Sequence, residues 1–203
     1  MTKRILITGG SGFVGSNLAV DLVTRGYEVT VLDDLSRRGS EILLEKRILP
    51  QGIKFVRGDV RNPENLSKLK ETFALLIECS AEPSVLAGTQ GQDARRVLDI
   101  NLQGAIHCFE WARERRVPVL FLSSSRVYPY DRLNACRYRE TKTRFDLDEG
   151  CEGVNPQGVR TEMPLQGIRS LYGASKLCAE LILREYAVQY GEWLPTRSDC
   201  DPL

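Results

Sequence analysis

The stretch Thr8-Gly9-Gly10-Ser11-Gly12-Phe13-Val14-Gly15 joins a short apolar run at 4–8 to an amphipathic run at 13–25, which Gly26 closes. A turn of this kind confines the chain strongly. Gly9 permits the tight turn, Gly12 lets an anion approach the backbone, and Gly15 lets the helix pack close on the strand before it. The same alternation then continues. Short apolar runs at 28–32, 53–57, 74–79 and 117–123 predict four further strands. Helices are predicted between them: one at 40–48 ending at Pro50, one at 64–72 with Asn62 as N-cap and Pro63 at its start, and a long one from about 95 to 115. Strand and helix alternating with short links imply the α/β class, as a doubly wound parallel sheet covered on both faces.

From 129 to 170 the pattern lapses into glycine, arginine and acidic residues, and a stretch of that length without clear elements points to function. A helix is expected again at 174–190, with Gly191 as its cap. The reading is one domain over 1–191 and an unpatterned tail over 192–203. At 203 residues and 42% hydrophobic, the chain can bury a sizeable core. Its 28 basic and 27 acidic side chains leave a net charge of +1, too little to attract nucleic acid or an anionic membrane by bulk field. No apolar run reaches the length of a membrane span, and the start breaks at Thr8-Gly9-Gly10 too soon for a signal peptide. A cytoplasmic protein is expected. Cysteines 79, 108, 136, 151, 178 and 200 contain no C-x-x-C pair and read as buried thiols. No metal site is expected, and the lone His107 reads as packed or surface-facing rather than catalytic.

A glycine turn between strand and helix acquires meaning from an acidic residue at the next strand end. Asp33 lies 18 positions beyond Gly15, where a carboxylate accepts from ribose hydroxyls and repels a 2′-phosphate. NAD is thereby favoured over NADP, although Arg37 and Arg38 pull the other way. Phe13 and Val14 open the helix that faces the phosphates. Asp59 and Val60, after the third strand, suit the adenine side of the same site.

Tyr172 and Lys176 stand four residues apart and share a helical face. A free tyrosine, with a pKa near ~10, is a poor base at neutral pH. A nearby ammonium favours the phenolate, so the pair can take a proton from a substrate hydroxyl. Ser123-Ser124-Ser125 ends the fifth predicted strand, where crevices of open parallel sheets form. A serine-rich strand end can equally be a helix cap.

With these residues in this order, the chain resembles the extended short-chain dehydrogenase/reductases, the NAD-dependent epimerase/dehydratase family of nucleotide sugars. The resemblance runs from Lys3 to about Gly191 and implies a Rossmann-like NAD-binding fold. It places cofactor contacts at Gly9, Gly12, Phe13, Val14, Gly15, Asp33, Asp59, Val60 and Asn101, and catalytic roles at Ser124, Tyr172 and Lys176. Tyr172 and Lys176 also meet the cofactor. The dehydratase branch carries an Asp-Glu pair after the active-site hydroxyl. Here Ser125-Arg126 stands in its place, which leaves epimerisation by transient oxidation. Asp34-Leu35-Ser36-Arg37-Arg38-Gly39 and the long 129–170 segment look like the CDP-paratose 2-epimerase branch, which inverts C2 to give CDP-tyvelose. Another nucleotide-sugar 4-epimerase, a dehydratase-family enzyme and a non-catalytic dinucleotide-binding remnant remain as alternatives. A homodimer is also implied. Two departures stand out: Glu78 occupies a position where the family has histidine, with Glu82 close by, and the C-terminal substrate lobe of the family is largely missing. A truncated chain of this kind is expected to turn over slowly or not at all.

Overall fold

In a computed structural model the described residues are 3–84, 86–87 and 93–191. The first half follows the expected alternation: β1 (Arg4–Thr8), α1 (Phe13–Thr24), β2 (Glu28–Asp33), α2 (Ser40–Leu43), β3 (Lys54–Arg57), α3 (Pro63–Ser67) and β4 (Leu75–Glu78). It continues with α4 (Ala94–Leu98), α5 (Gly104–Arg115) and β5 (Val119–Phe121). The five strands form one parallel sheet in the order β3-β2-β1-β4-β5.

Both faces of this sheet are buried, and the period-2 geometry of a strand sorts its residues between two cores. Ile5, Ile7, Val29, Val31 and Ile77 pack with α1 and with Leu44 and Ile48 on one face. Leu6, Leu32 and Leu76 pack on the other with Phe109, Trp111 and Ala112 of α5 and Ala179. Phe109 is the hub of the second core. It is 1% exposed and stacks edge-on against Phe121, at 5.5 Å between ring centroids, and against Tyr186, at 6.5 Å.

Tertiary burial alters several predicted elements. The 64–72 helix stops at Ser67, because Leu66, Leu69 and Phe73 all enter the Phe109 core while the chain turns into β4. Asn62 does cap α3, accepting from the Glu64 amide at 3.0 Å. The 40–48 helix does not end at Pro50. It passes through a π turn (Leu44–Ile48) and a 3-10 turn (Leu49–Gln51), where Pro50 sits at a position that needs no amide donor. Gly52, at φ 69°, closes it. The long 95–115 helix is likewise interrupted by a π turn, Asp99–Gln103.

The 129–170 segment is not featureless. After a 3-10 turn (Ser125–Val127) come α6 (Tyr130–Asn134), an antiparallel pair β6 (Arg137–Glu140) and β7 (Phe145–Glu149), and a small pair β8 (Val154–Asn155) and β9 (Gly158–Val159). All four residues of β6 are exposed, so no apolar alternation marks it. The last helix, α7 (Leu171–Tyr190), starts three residues earlier than its periodicity suggests because Ser170 caps it, accepting from the Gly173 amide at 3.1 Å. Gly191 ends it in a right-handed conformation, φ −64°, not the left-handed one typical of a glycine cap.

The expectation of six buried thiols is also corrected. Cys136 and Cys151 form a disulfide within a small cluster with Val154 and Met163, and Cys178 is exposed. Cys79 is half-buried and Cys108 buried, while Cys200 and the 192–203 tail lie outside the described residues. His107 is packed, its Nδ1 2.9 Å from the Val60 carbonyl. No helix of the described residues is long and apolar enough to cross a membrane. Replacing Phe109 with Ala is expected to cost about 3–5 kcal/mol of unfolding free energy, measured by urea denaturation. A loss below 1 kcal/mol would show that the second core does not depend on this ring.

Candidate functional site

In the sheet order the sequence of strands reverses between β1 and β4, and crevices form above such a switch point. Here Thr8 and Glu78 pair across the last rung. Above them opens a cavity of about 710 Å³. Gly9, Gly12, Phe13, Val14, Gly15, Asp33, Asp59 and Val60, all singled out from sequence, line it together. Arg37 and Arg38 border it as well.

The glycine turn is shaped by close approach. Gly9 adopts φ 64°, and a Cβ there would lie 2.8 Å from the Cys79 and Ser80 backbone. A Cβ at Gly15 would lie 2.4 Å from the Gly9 carbonyl. Gly10, which the spacing does not single out, is closed off by Val31 at 2.4 Å. α1 has Gly12 as its N-cap, so it lacks a side-chain cap, and it has no acidic residue in its first turn. Its N-terminal amides and positive dipole end thus suit an anion. Asp33, 8% exposed, accepts from the Ser11 amide at 2.9 Å through Oδ2 and from the Leu35 amide at 2.9 Å through Oδ1. It thereby ties the β2 end to the glycine turn. Burial pushes the Asp33 carboxyl above its usual range, against the pull of these two amides. Asp59 is gripped by Arg61, 2.6 Å from Nη2 to Oδ2, and the balance of burial against that guanidinium leaves its carboxyl lowered.

Asn101 lies outside the cavity lining. It is fully buried in the π turn and clamps the loop after β4, accepting from the Glu82 amide at 2.7 Å and donating to the Glu82 carbonyl at 3.1 Å. This clamp holds Ser80, Ala81, Glu82 and Pro83 against the cavity, a wall the sequence reading noted only as a departure. Arg96 and Ile100 also line the cavity and were missed. Their signal was their place on the same helical stretch, within five residues of Asn101.

Ser124, Tyr172 and Lys176 do not line the cavity either, but the turn that Ser124 caps and the helix that carries the other two pack together. Ser124 caps the 3-10 turn, its Oγ accepting from the Arg126 amide at 3.1 Å, which leaves its own proton free to donate. The start of α7 seats on this turn: a Cβ at Gly173 would lie 2.1 Å from the Arg126 carbonyl. Gly173, between the tyrosine and the lysine, is thus the residue that lets Tyr172 approach the serine turn. Tyr172 and Lys176 are both buried, and Lys176 Nζ donates to the Leu122 carbonyl at 2.9 Å.

Residues 5–197 match the NAD dependent epimerase/dehydratase family. The chain belongs to that family. It is 30% identical over 189 residues to a CDP-paratose 2-epimerase of Salmonella typhi, covering 93% of this chain and 54% of that protein. To a bifunctional UDP-glucose 4-epimerase and UDP-xylose 4-epimerase of Pisum sativum it is 29% identical over 200 residues, 95% of this chain and 50% of that one. The UDP-glucose 4-epimerase of Thermus thermophilus, solved in complex with NAD, superposes with a TM-score of 0.66 at 28% identity, over 93% of this chain and 52% of the other. The family member described here spans about half the length of the curated relatives it matches.

Gly173→Ala is expected to destabilise the protein by about 1–3 kcal/mol, because the new methyl must push α7 off the serine turn. Denaturation that matches the wild type would refute this seating. For Asp33, the raised carboxyl means that the folded chain holds the proton to higher pH than the unfolded chain. Its contribution to stability is complete below the unfolded value of about 3.9 and is lost as pH rises through the folded value. Asp33→Asn is therefore expected to flatten the fall in stability across that window, as read from urea midpoints at a series of pH values.

Proposed function

We propose that residues 1–191 bind NAD in the crevice above β1 and β4, and that the site is that of a nucleotide-sugar epimerase acting on CDP-paratose to give CDP-tyvelose. One observation carries the reading. An uncapped helix N-terminus beside a glycine turn and Asp33 forms one end of the site, while Tyr172 and Lys176 are seated against the Ser124 turn at the other. The closely fitted glycines and the free first-turn amides fit a pyrophosphate, and Asp33 fits a ribose diol. NAD held there supplies a reversible hydride acceptor.

In this reading the chain's own residues move the proton. Tyr172 takes it from the sugar hydroxyl, Lys176 stabilises the phenolate, and Ser124 donates to the reacting oxygen. Oxidation of one sugar carbon and its reduction from the opposite face invert the centre with no net change of cofactor. The Salmonella typhi relative supports C2 of a CDP-linked sugar, and the plant relative supports C4 of a UDP-linked one as the alternative. Ser125-Arg126, in place of an acidic pair, supports epimerisation over dehydration.

Calorimetric titration of the chain with NAD and NADP tests binding. NAD is expected to bind more tightly, with Asp33→Asn reducing the preference. Turnover is followed by the conversion of CDP-paratose, with UDP-glucose as the competing substrate. Tyr172→Phe is expected to lower kcat at least about 10²-fold. NAD binding without turnover of CDP-, UDP- or dTDP-sugars would favour a dinucleotide-binding module instead. That outcome has some support in the position of Tyr172 and Lys176 outside the cavity lining.

A further inference from the structure

The chemistry above makes no use of Glu78, yet this side chain is 1% exposed and stands at the switch point itself. Thr8 and Glu78 lie on the sheet face shared with Leu6 and Leu76, which α5 and α7 cover. Glu78 Oε1 accepts from the Ser80 amide at 2.9 Å and from the Thr8 hydroxyl at 3.4 Å. Oε2 is buried without a hydrogen-bond partner among the described residues and lies 3.9 Å from Lys176 Nζ. That distance makes an ion pair but not a hydrogen bond.

Lys176 reaches this point from α7. Its ammonium donates to Leu122 O at 2.9 Å and lies 4.5 Å from the centroid of the Phe121 ring. No other ion pair among the described residues involves either side chain. The remaining titratable groups around Glu78 are thiols and a phenol. Cys79 follows it just beyond the end of β4, and Cys108 of α5 lies in the core on the same face of the sheet. Burial pushes the Cys79 thiol up to about 12 and the Cys108 thiol well up too, so neither carries charge near neutral pH. Tyr172 precedes Lys176 by one helical turn. Burial pushes the Glu78 carboxyl upward, and Lys176 is the strongest force pulling it back. A buried charge without a counter-charge gives up its ionisation, and the counter-charge facing the Glu78 carboxyl is Lys176.

We propose that Glu78 is a positioning residue for Lys176, whose ammonium it holds at the β4–β5 end of the sheet. An ammonium has three donors. Leu122 O takes one, and the Glu78 carboxylate attracts the ammonium as an ion pair at 3.9 Å without taking a donor, so the others are left for Tyr172 and the bound ligand. The positive charge is also divided between the Glu78 carboxylate and the Tyr172 oxygen. Glu78 therefore tunes how strongly Lys176 supports proton removal by Tyr172. This rests on the reading of Tyr172 and Lys176 as the acid–base pair, but the pairing itself is measurable without any ligand.

The test is a ¹³C-carboxyl NMR titration of Glu78 in the ligand-free chain, comparing wild type, Lys176→Met and Lys176→Arg. Loss of the ammonium is expected to raise the Glu78 midpoint by at least about one unit, and arginine is expected to restore it to within about half a unit. Equal midpoints in wild type and Lys176→Met would overturn the proposal. If Lys176→Met fails to fold, Glu78→Gln decides the matter, since it keeps the shape and removes the charge. The Lys176 ¹⁵Nζ resonance must then move more than that of any other lysine, and an unmoved resonance refutes the pairing. NAD titration and turnover on the same samples keep the two readings apart. Absence of NAD binding defeats the functional proposal while the Glu78 midpoint still reports the pair. Where turnover is measurable, Glu78→Gln is expected to shift the acid limb of its pH profile by about one unit to lower pH. An unchanged limb would mean that Glu78 positions nothing used in proton transfer.

Discussion

The backbones of two parallel strand ends meet at the centre of this protein with no room for a side chain between them. Gly9, leaving β1, approaches the chain leaving β4 so closely that a single Cβ would strike Cys79 and Ser80. This contact sets the depth of the crevice above the sheet, because the strand order reverses at the same place. Gly15 then lets α1 settle on the turn, and Asp33 ties the β2 end to it through the Ser11 amide. The glycine cradle rests on this steric constraint, and the carboxylate beside it is held by the amide of the same turn.

The period-2 rule distributes the remaining chemistry. Residues with odd numbers in β1 and β4 face α1, and those with even numbers face α5 and α7. Cys79 therefore borders the cavity side, while Glu78 turns under α7, toward Lys176. A polar residue on that buried face needs a partner. Thr8 and Lys176 supply partners from two different elements.

The departures from simple periodicity serve placement as well. The π turn Asp99–Gln103 breaks a long helix where Asn101 must reach the Glu82 backbone. The seating of Gly173 on the Arg126 carbonyl brings the tyrosine-bearing helix to the serine turn. In both cases the residue serves the site by shaping backbone near it.

Much of the fold was legible in the residues alone. Alternating apolar runs and helical spacing located all five parallel strands, because a sheet buried on both faces needs continuous apolar strands. The glycine turn, Asp33, Asp59 and Val60 were legible as one site because a tight turn and a strand-end carboxylate are local features. The β6–β7 pair was not legible, since β6 is exposed throughout and neither strand alternates between buried and exposed residues. Nor was the early end of α3, where Leu69 and Phe73 follow the core rather than a helical period. Sequence marked Asn101 and Glu78 as residues of interest, but their partners lie 19 and 98 positions away in the chain. Glu78 reads as a carboxylate beside a cofactor until strand register turns it to the opposite face. Sequence thus determined which residues could do the chemistry, through local spacing and residue type. Only the tertiary structure decided which of them meet, because strand register and helix seating are set by the burial of the whole core.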